Sequence, residues 1–139
     1  MKVNLAMKNL IGILTLMMAG RMMTLAFIGR AGGTDAGDPP AAWLMPLIGD
    51  AVIGVTALGA AWLVWRGRGL AVWAALIVWN ALGAWDAISA YIVHQTNPWP
   101  DFFMIQTFGA SMFFMATATH LLIIWLLTRP AAMPSASAG

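Results

Sequence analysis

Three charged residues stand where a charge is hardest to place. Arg21, Asp50 and Asp86 each sit inside a long apolar stretch of the chain. A charge in hydrocarbon costs at least about 3 kcal/mol even on lenient insertion scales, so such residues face a partner or a cavity. One guanidinium with two carboxylates can form a buried ion pair that fixes helix register. It can also accept a proton, hold a cation, or contact a partner subunit or bound ligand. With both carboxylates ionised the trio carries net charge −1 in low dielectric, so one Asp is expected to hold a proton.

Depth estimates bring the three together. At about 1.5 Å per residue, Arg21 lies about 17 Å above the inner end of its span and about 13 Å below the outer surface of a ~30 Å hydrocarbon core. Asp50 and Asp86 lie about 12 and 11 Å below the outer ends of theirs. Helical spacing agrees. Asp50, Gly54, Ala57 and Ala61 form a small-residue stripe, and Trp79, Gly83, Asp86 and Ala90 follow the same spacing in the next span, which suits close helix contact. The expectation is a buried Arg21–Asp50–Asp86 cluster.

A second polar layer lies deeper. Asn80 is about 15 Å and His120 about 10 Å above the inner ends of their spans, with Thr15, Thr56 and Thr117 at similar depths. Gln106, Ala110, Phe113, Thr117, His120 and Ile124 share one face at alternating spacings of three and four. His120 should therefore point inward. It is read either as a neutral histidine bonded to Asn80 or a threonine, or as a haem or metal ligand. The other histidine, His94, is placed on the order of 25 Å away, which excludes a bis-His haem within one chain. A His/Met haem, or one shared between subunits, stays open. Met17, Met18, Met22, Met23, Met104, Met112 and Met115 are assigned to adaptable packing over copper(I) binding, because no Cys or clustered His accompanies them. No metal site and no catalytic residue is assigned, and the cofactor is left unknown.

These residues need elements to hold them, and composition says which. The chain has 139 residues, 61% apolar and 9% charged. Soluble domains carry about 25% charge, so most of this surface is expected to meet lipid. Cysteine and glutamate are absent, which removes disulfides, thiolate nucleophiles, iron–sulfur clusters and Cys-ligated zinc. No phosphate-binding, dinucleotide or hydrolase motif occurs. Four stretches are long and apolar enough to span a bilayer: about 10–28, 42–65, 70–93 and 102–127. For the first, Arg21 and the further apolar run Met22–Ile28 favour a retained helix over a cleaved leader.

Gly/Asp/Pro-rich residues 29–41, the Arg66-Gly67-Arg68-Gly69 hairpin and Asn97-Pro98-Trp99-Pro100 punctuate the spans. Proline in particular cannot continue a helix. The expected fold is all-α: one four-helix transmembrane domain over residues 1–129, up-down-up-down, followed by a disordered tail at 130–139. Lys2, Lys8, Arg66, Arg68 and Arg129 fall on one side and only Arg30 on the other, which puts both termini in the cytoplasm. Trp43 and Trp99 are read as the outer aromatic belt, and Trp62, Trp65, Trp73 and Trp125 as the inner one. Trp79 and Trp85 are read as deeper packing. The expected location is the bacterial inner membrane, multi-pass. The expected partners are lipid, other membrane subunits or a second copy, and no nucleic acid.

Ile48-Gly49-Asp50, the string Trp79-Asn80-Ala81-Leu82-Gly83-Ala84-Trp85-Asp86 and His120 in the last span resemble an uncharacterised group of small bacterial membrane proteins. That group pairs Gly-Asp in one helix with Trp-Asn-x-Leu-Gly-x-x-Asp in the next and ends on a helix containing His. The resemblance covers roughly residues 43–127. It implies a four-helix fold and a shared polar site of Asp50, Asn80, Asp86 and His120, and no particular activity. The functional expectation is a non-enzymatic accessory subunit of a membrane complex or a small-ligand binder. The alternatives are a proton or ion transport component, and a membrane enzyme or haem/pigment protein using Asp50, Asp86 and His120.

Overall fold

The computed structural model describes residues 5–129. Lys2 and the proposed tail lie outside the described residues. Among the described residues every regular element is a helix. It forms α1 (Leu5–Met17), a 3₁₀ segment (Met18–Thr24), α2 (Leu25–Ile28), a short 3₁₀ turn (Ala41–Trp43), α3 (Leu44–Arg66), α4 (Leu70–Thr96), α5 (Phe103–Phe108) and α6 (Ser111–Leu127). Three stretches, Leu5–Ile28, Ala41–Arg66 and Leu70–Thr96, are long and apolar enough to cross a membrane.

The boundaries follow local chemistry. Pro46 lies in the first turn of α3, where the missing N–H would have had no intrahelical partner. Between α3 and α4, Gly69 adopts φ +85°, open to glycine at little cost. α4 runs to Thr96, three residues past the expected end, and stops before Pro98.

Two expected spans are less regular than a uniform apolar pattern implies. The first leaves α geometry for seven residues around Arg21. The last is broken at Gly109, which has φ +57°. The single face drawn through Gln106 and His120 is therefore interrupted: Gln106 is exposed on α5, while Phe113 and His120 are buried on α6.

The first span packs on α3 and α6, α3 packs on α4, and α4 packs on α6. Two apolar plugs fill the centre. At the hairpin end Ile11, Val64, Trp73, Leu76, Ile123 and Leu127 pack together. At the loop end Trp43, Leu47, Trp99, Phe102 and Phe113 do so. Trp43 and Trp99 are each only 2% exposed, so they close the end of the bundle and do not form an outward belt. The Trp43 indole donates to the Asn97 carbonyl at 2.7 Å and the Trp99 indole to Gly37 at 3.1 Å. Trp73 is likewise core, whereas Trp62, Trp65 and Trp125 face outward. On α3, α4 and α6 the central polar residues fall between these plugs: half-buried Asp50 after Leu47, half-buried Asp86 and buried Asn80 between Ala90 and Leu76, and buried His120 between Phe113 and Ile123.

Candidate functional site

Arg21 is the hub. Its Nε donates to Asp50 Oδ1 at 2.5 Å and its Nη2 to Asp86 Oδ2 at 2.5 Å. Its Nη1 donates to the Gly83 carbonyl at 3.2 Å and lies 2.9 Å from His120 Nε2. The three charged side chains are 11% (Arg21), 19% (Asp50) and 16% (Asp86) exposed. The sequence-level pairing of Arg21 with both acids is thus present in the geometry.

The two expected polar layers form one network. His120 Nδ1 lies 2.9 Å from Asn80 Oδ1, and Asn80 Nδ2 donates to the Leu76 carbonyl at 2.8 Å. Arginine has no acceptor, so the His120 Nε2 facing it must accept. The ring proton then sits on Nδ1 and is donated to Asn80. The Asn80 amide nitrogen is already donating to Leu76, which leaves its oxygen as the acceptor. Each assignment fixes the next, and the result is a neutral His120.

Both ring nitrogens of His120 are used and the residue is fully buried. It has no free lone pair for a haem iron or a metal ion. His94 lies nearer than the sequence estimate, roughly 16 Å along the bundle at the α-helical rise from Gly83. It packs against Trp43 and Phe113, still too distant to share an iron with His120. Thr117 does not join the second layer, because its hydroxyl donates to Phe113 of its own helix at 2.9 Å. Thr15 and Thr56 also bond within their helices, the usual resort of a threonine inside a helix. Trp79 donates its indole N–H to Thr56 at 2.9 Å and sets its ring edge-on to His120.

Three glycines make room for this network. A Cβ on Gly49 would overlap the Asp86 carboxylate, one on Gly83 the His120 ring, and one on Gly54 the backbone of Met22. Gly54 therefore lets the 3₁₀ segment lie directly against α3, one turn from Asp50. The Gly-Asp and Leu-Gly-x-x-Asp strings acquire a physical meaning: each glycine is the seat of a polar side chain or of its backbone. Thr24 ties the same segment down, its hydroxyl lying 2.9 Å from the Arg21 carbonyl and 3.1 Å from that of Leu47.

A cavity of about 210 Å³ opens beside the network. Arg21 and Asp50 stand in its wall, with Met17, Met23, Met104, Met112, Phe102 and Phe113 around it. The methionine pattern alone indicated packing. Met17 and Met23 of the first span and Met104 and Met112 of the last stretch nevertheless border one space. Asp50 Oδ2 receives no hydrogen bond among the described residues. Such an arrangement can bind a small molecule with a polar end, or pass a proton between carboxylates. Comparison of the chain with protein-family models, with curated proteins and with solved structures finds no match to any of them.

Proposed function

We propose that the chain is a small multi-pass membrane protein that binds a small ligand in the cavity beside Arg21 and Asp50. In this reading it is a four-helix bundle, up-down-up-down, in a bacterial inner membrane. Both termini and the Arg66–Gly69 hairpin are cytoplasmic. Three long apolar stretches support membrane insertion. So does a surface rich in Val52, Leu58, Val78, Leu82, Trp85 and Leu121, set over a centre that holds Asn80 and His120. Four of the described cations, Lys8, Arg66, Arg68 and Arg129, fall on the hairpin side, in keeping with the positive-inside rule. The resemblance to small bacterial membrane proteins rests on the same polar residues, Asp50, Asn80, Asp86 and His120. On this view the protein is an accessory subunit that carries its ligand within a larger membrane complex.

The single observation that carries ligand binding is an apolar cavity lined by a carboxylate whose second oxygen has no partner among the described residues. Pockets of this kind, apolar with a few convergent polar groups, are where small ligands bind. Purification in mild detergent followed by mass spectrometry of copurifying small molecules and proteins tests the reading. A stoichiometric small molecule that is lost in Asp50→Asn is the expected result. Recovery of the same molecule from both proteins, or of none from either, would remove it.

A second reading, proton or ion passage, is favoured by one specific feature. Two carboxylates face one guanidinium and a neutral imidazole, so a proton or cation balances the site. Proton flux in liposomes that disappears in Asp86→Asn is its signature.

A further inference from the structure

We propose that the ligand of this cavity is a small organic monocation, an amine carried on a compact apolar or aromatic body. The inference rests on the ligand-binding reading above and deepens it. Charge comes first. The hydrogen-bond directions leave His120 neutral, so Arg21 supplies the one positive charge against Asp50 and Asp86. No other cation joins them: of the described basic residues, Lys8, Arg66, Arg68 and Arg129 lie toward the hairpin end and Arg30 pairs with Asp38. With both carboxylates ionised the centre is one positive charge short, a deficit that a proton fills in the empty site and a cationic ligand fills in the occupied one.

Donor and acceptor geometry comes second. Four of the five N–H groups of Arg21 are already committed. Asp50 stands in the cavity wall, and its Oδ2 has no partner among the described residues. The open polar end therefore asks for a donor that bears charge, and an anionic ligand would meet a carboxylate. A buried carboxylate bonded to a charged donor is the stronger kind of hydrogen bond.

Size and lining come third. An apolar cavity of about 150 Å³ accommodates benzene, so about 210 Å³ accommodates one ring and a short chain. A haem or carotenoid exceeds it several-fold. Phe102 and Phe113 stand in the lining, and methionine thioethers adapt to irregular apolar shapes. Aromatic faces also attract a desolvated cation.

Binding of 2-phenylethylamine and of propylbenzene, its uncharged isostere, to the full chain in detergent micelles provides the test. Both probes are followed by saturation-transfer NMR. The expected result is that the amine binds at least about tenfold more tightly. Asp50→Asn should reduce the amine to the affinity of propylbenzene, and Ala116→Phe, which fills the cavity, should abolish both. The comparison of the two probes on the unaltered protein does not depend on any variant folding. Equal affinity for the two probes would overturn the amine class and leave the ligand-binding reading standing. Failure of both to bind would overturn both. Displacement of the amine by sodium at equal concentration would reassign the site to an inorganic cation and overturn the amine class.

Discussion

Replacing Arg21 with methionine removes the hub while keeping much of the side chain's length and apolar stem. Two carboxylates then face each other with no cation, His120 Nε2 loses its donor, and the Gly83 carbonyl loses a contact. Breaking a buried ion pair by removing one partner costs about 3–5 kcal/mol, because the remaining charge stays uncompensated. The side chains here are 11–19% exposed, so water and protonation reach their edges and the lower figure, about 3 kcal/mol, applies. That is a roughly hundredfold change or more in the folding equilibrium, at about 1.4 kcal/mol per factor of ten. The reasoning makes a second demand. Removing all the charge should be far less harmful than removing one sign of it. Arg21→Met combined with Asp50→Asn and Asp86→Asn should recover to within about 1–2 kcal/mol of the parent, the residue being the unsatisfied His120 nitrogen. Reversible unfolding in mixed micelles, followed by tryptophan fluorescence across a graded SDS titration, reads both. A single variant within about 1 kcal/mol of the parent, or a triple variant no more stable than the single one, would refute the account.

Gly83→Ala should cost about 1–3 kcal/mol by overpacking, since the His120 ring it would meet is held by Arg21 on one side and Asn80 on the other. Gly59→Ala, with open space around its Cβ, should instead be neutral or stabilising by up to about 1 kcal/mol through helix propensity; the same SDS titration ranks the two. Asn80→Leu should leave the His120 tautomer unchanged, because Nε2 still accepts from Arg21, so ¹⁵N NMR of labelled histidine should show the Nδ1-protonated form in both proteins; an Nε2-protonated form in either would refute the assignment. Because the chain has no cysteine, single cysteines at Thr34 and Arg68 report topology cleanly. Impermeant maleimide should label the first from outside and the second only after the membrane is breached, and labelling of both from one side would reverse the proposed threading.

Much of the site was readable before any coordinates. Arg21, Asp50 and Asp86 are conspicuous because a charge in an apolar run needs a partner, and helical rise alone put them at one level. The spacing of its helix turns His120 inward, and depth alone puts Asn80 near the same level. What linear pattern could not supply was the link between the layers. The Arg21–His120 contact depends on a 3₁₀ segment, and a uniformly apolar stretch gives no sign of where helical winding tightens. Thr117 was misplaced into the network because spacing locates a side chain on a face and cannot say whether its hydroxyl will turn back to the backbone. The tryptophans divided likewise. Trp43, Trp73 and Trp99 occupy sequence positions suited to an interfacial belt, but volume was needed inside, and two apolar plugs took them. The cavity is hidden for a related reason: Gly109 looks like any small residue of a spanning helix, yet its φ of +57° separates α5 from α6, and Met104 and Met112 line the cavity on either side of that break.

The 3₁₀ winding beneath Arg21 has a rotational consequence. Seven residues at about 120° each carry the chain through about 840°, where an α-helix at about 100° would carry it through about 700°. Arg21 is fourth in that segment, so by its position roughly 80° of the difference has accumulated. Had the span stayed α-helical with α1 fixed, the guanidinium would aim well around the axis from both carboxylates, and Phe27 would leave the Trp99 and Phe102 rings it now meets edge-on. Helical pitch in those seven residues acts as an azimuth setting for the whole upper half of the span.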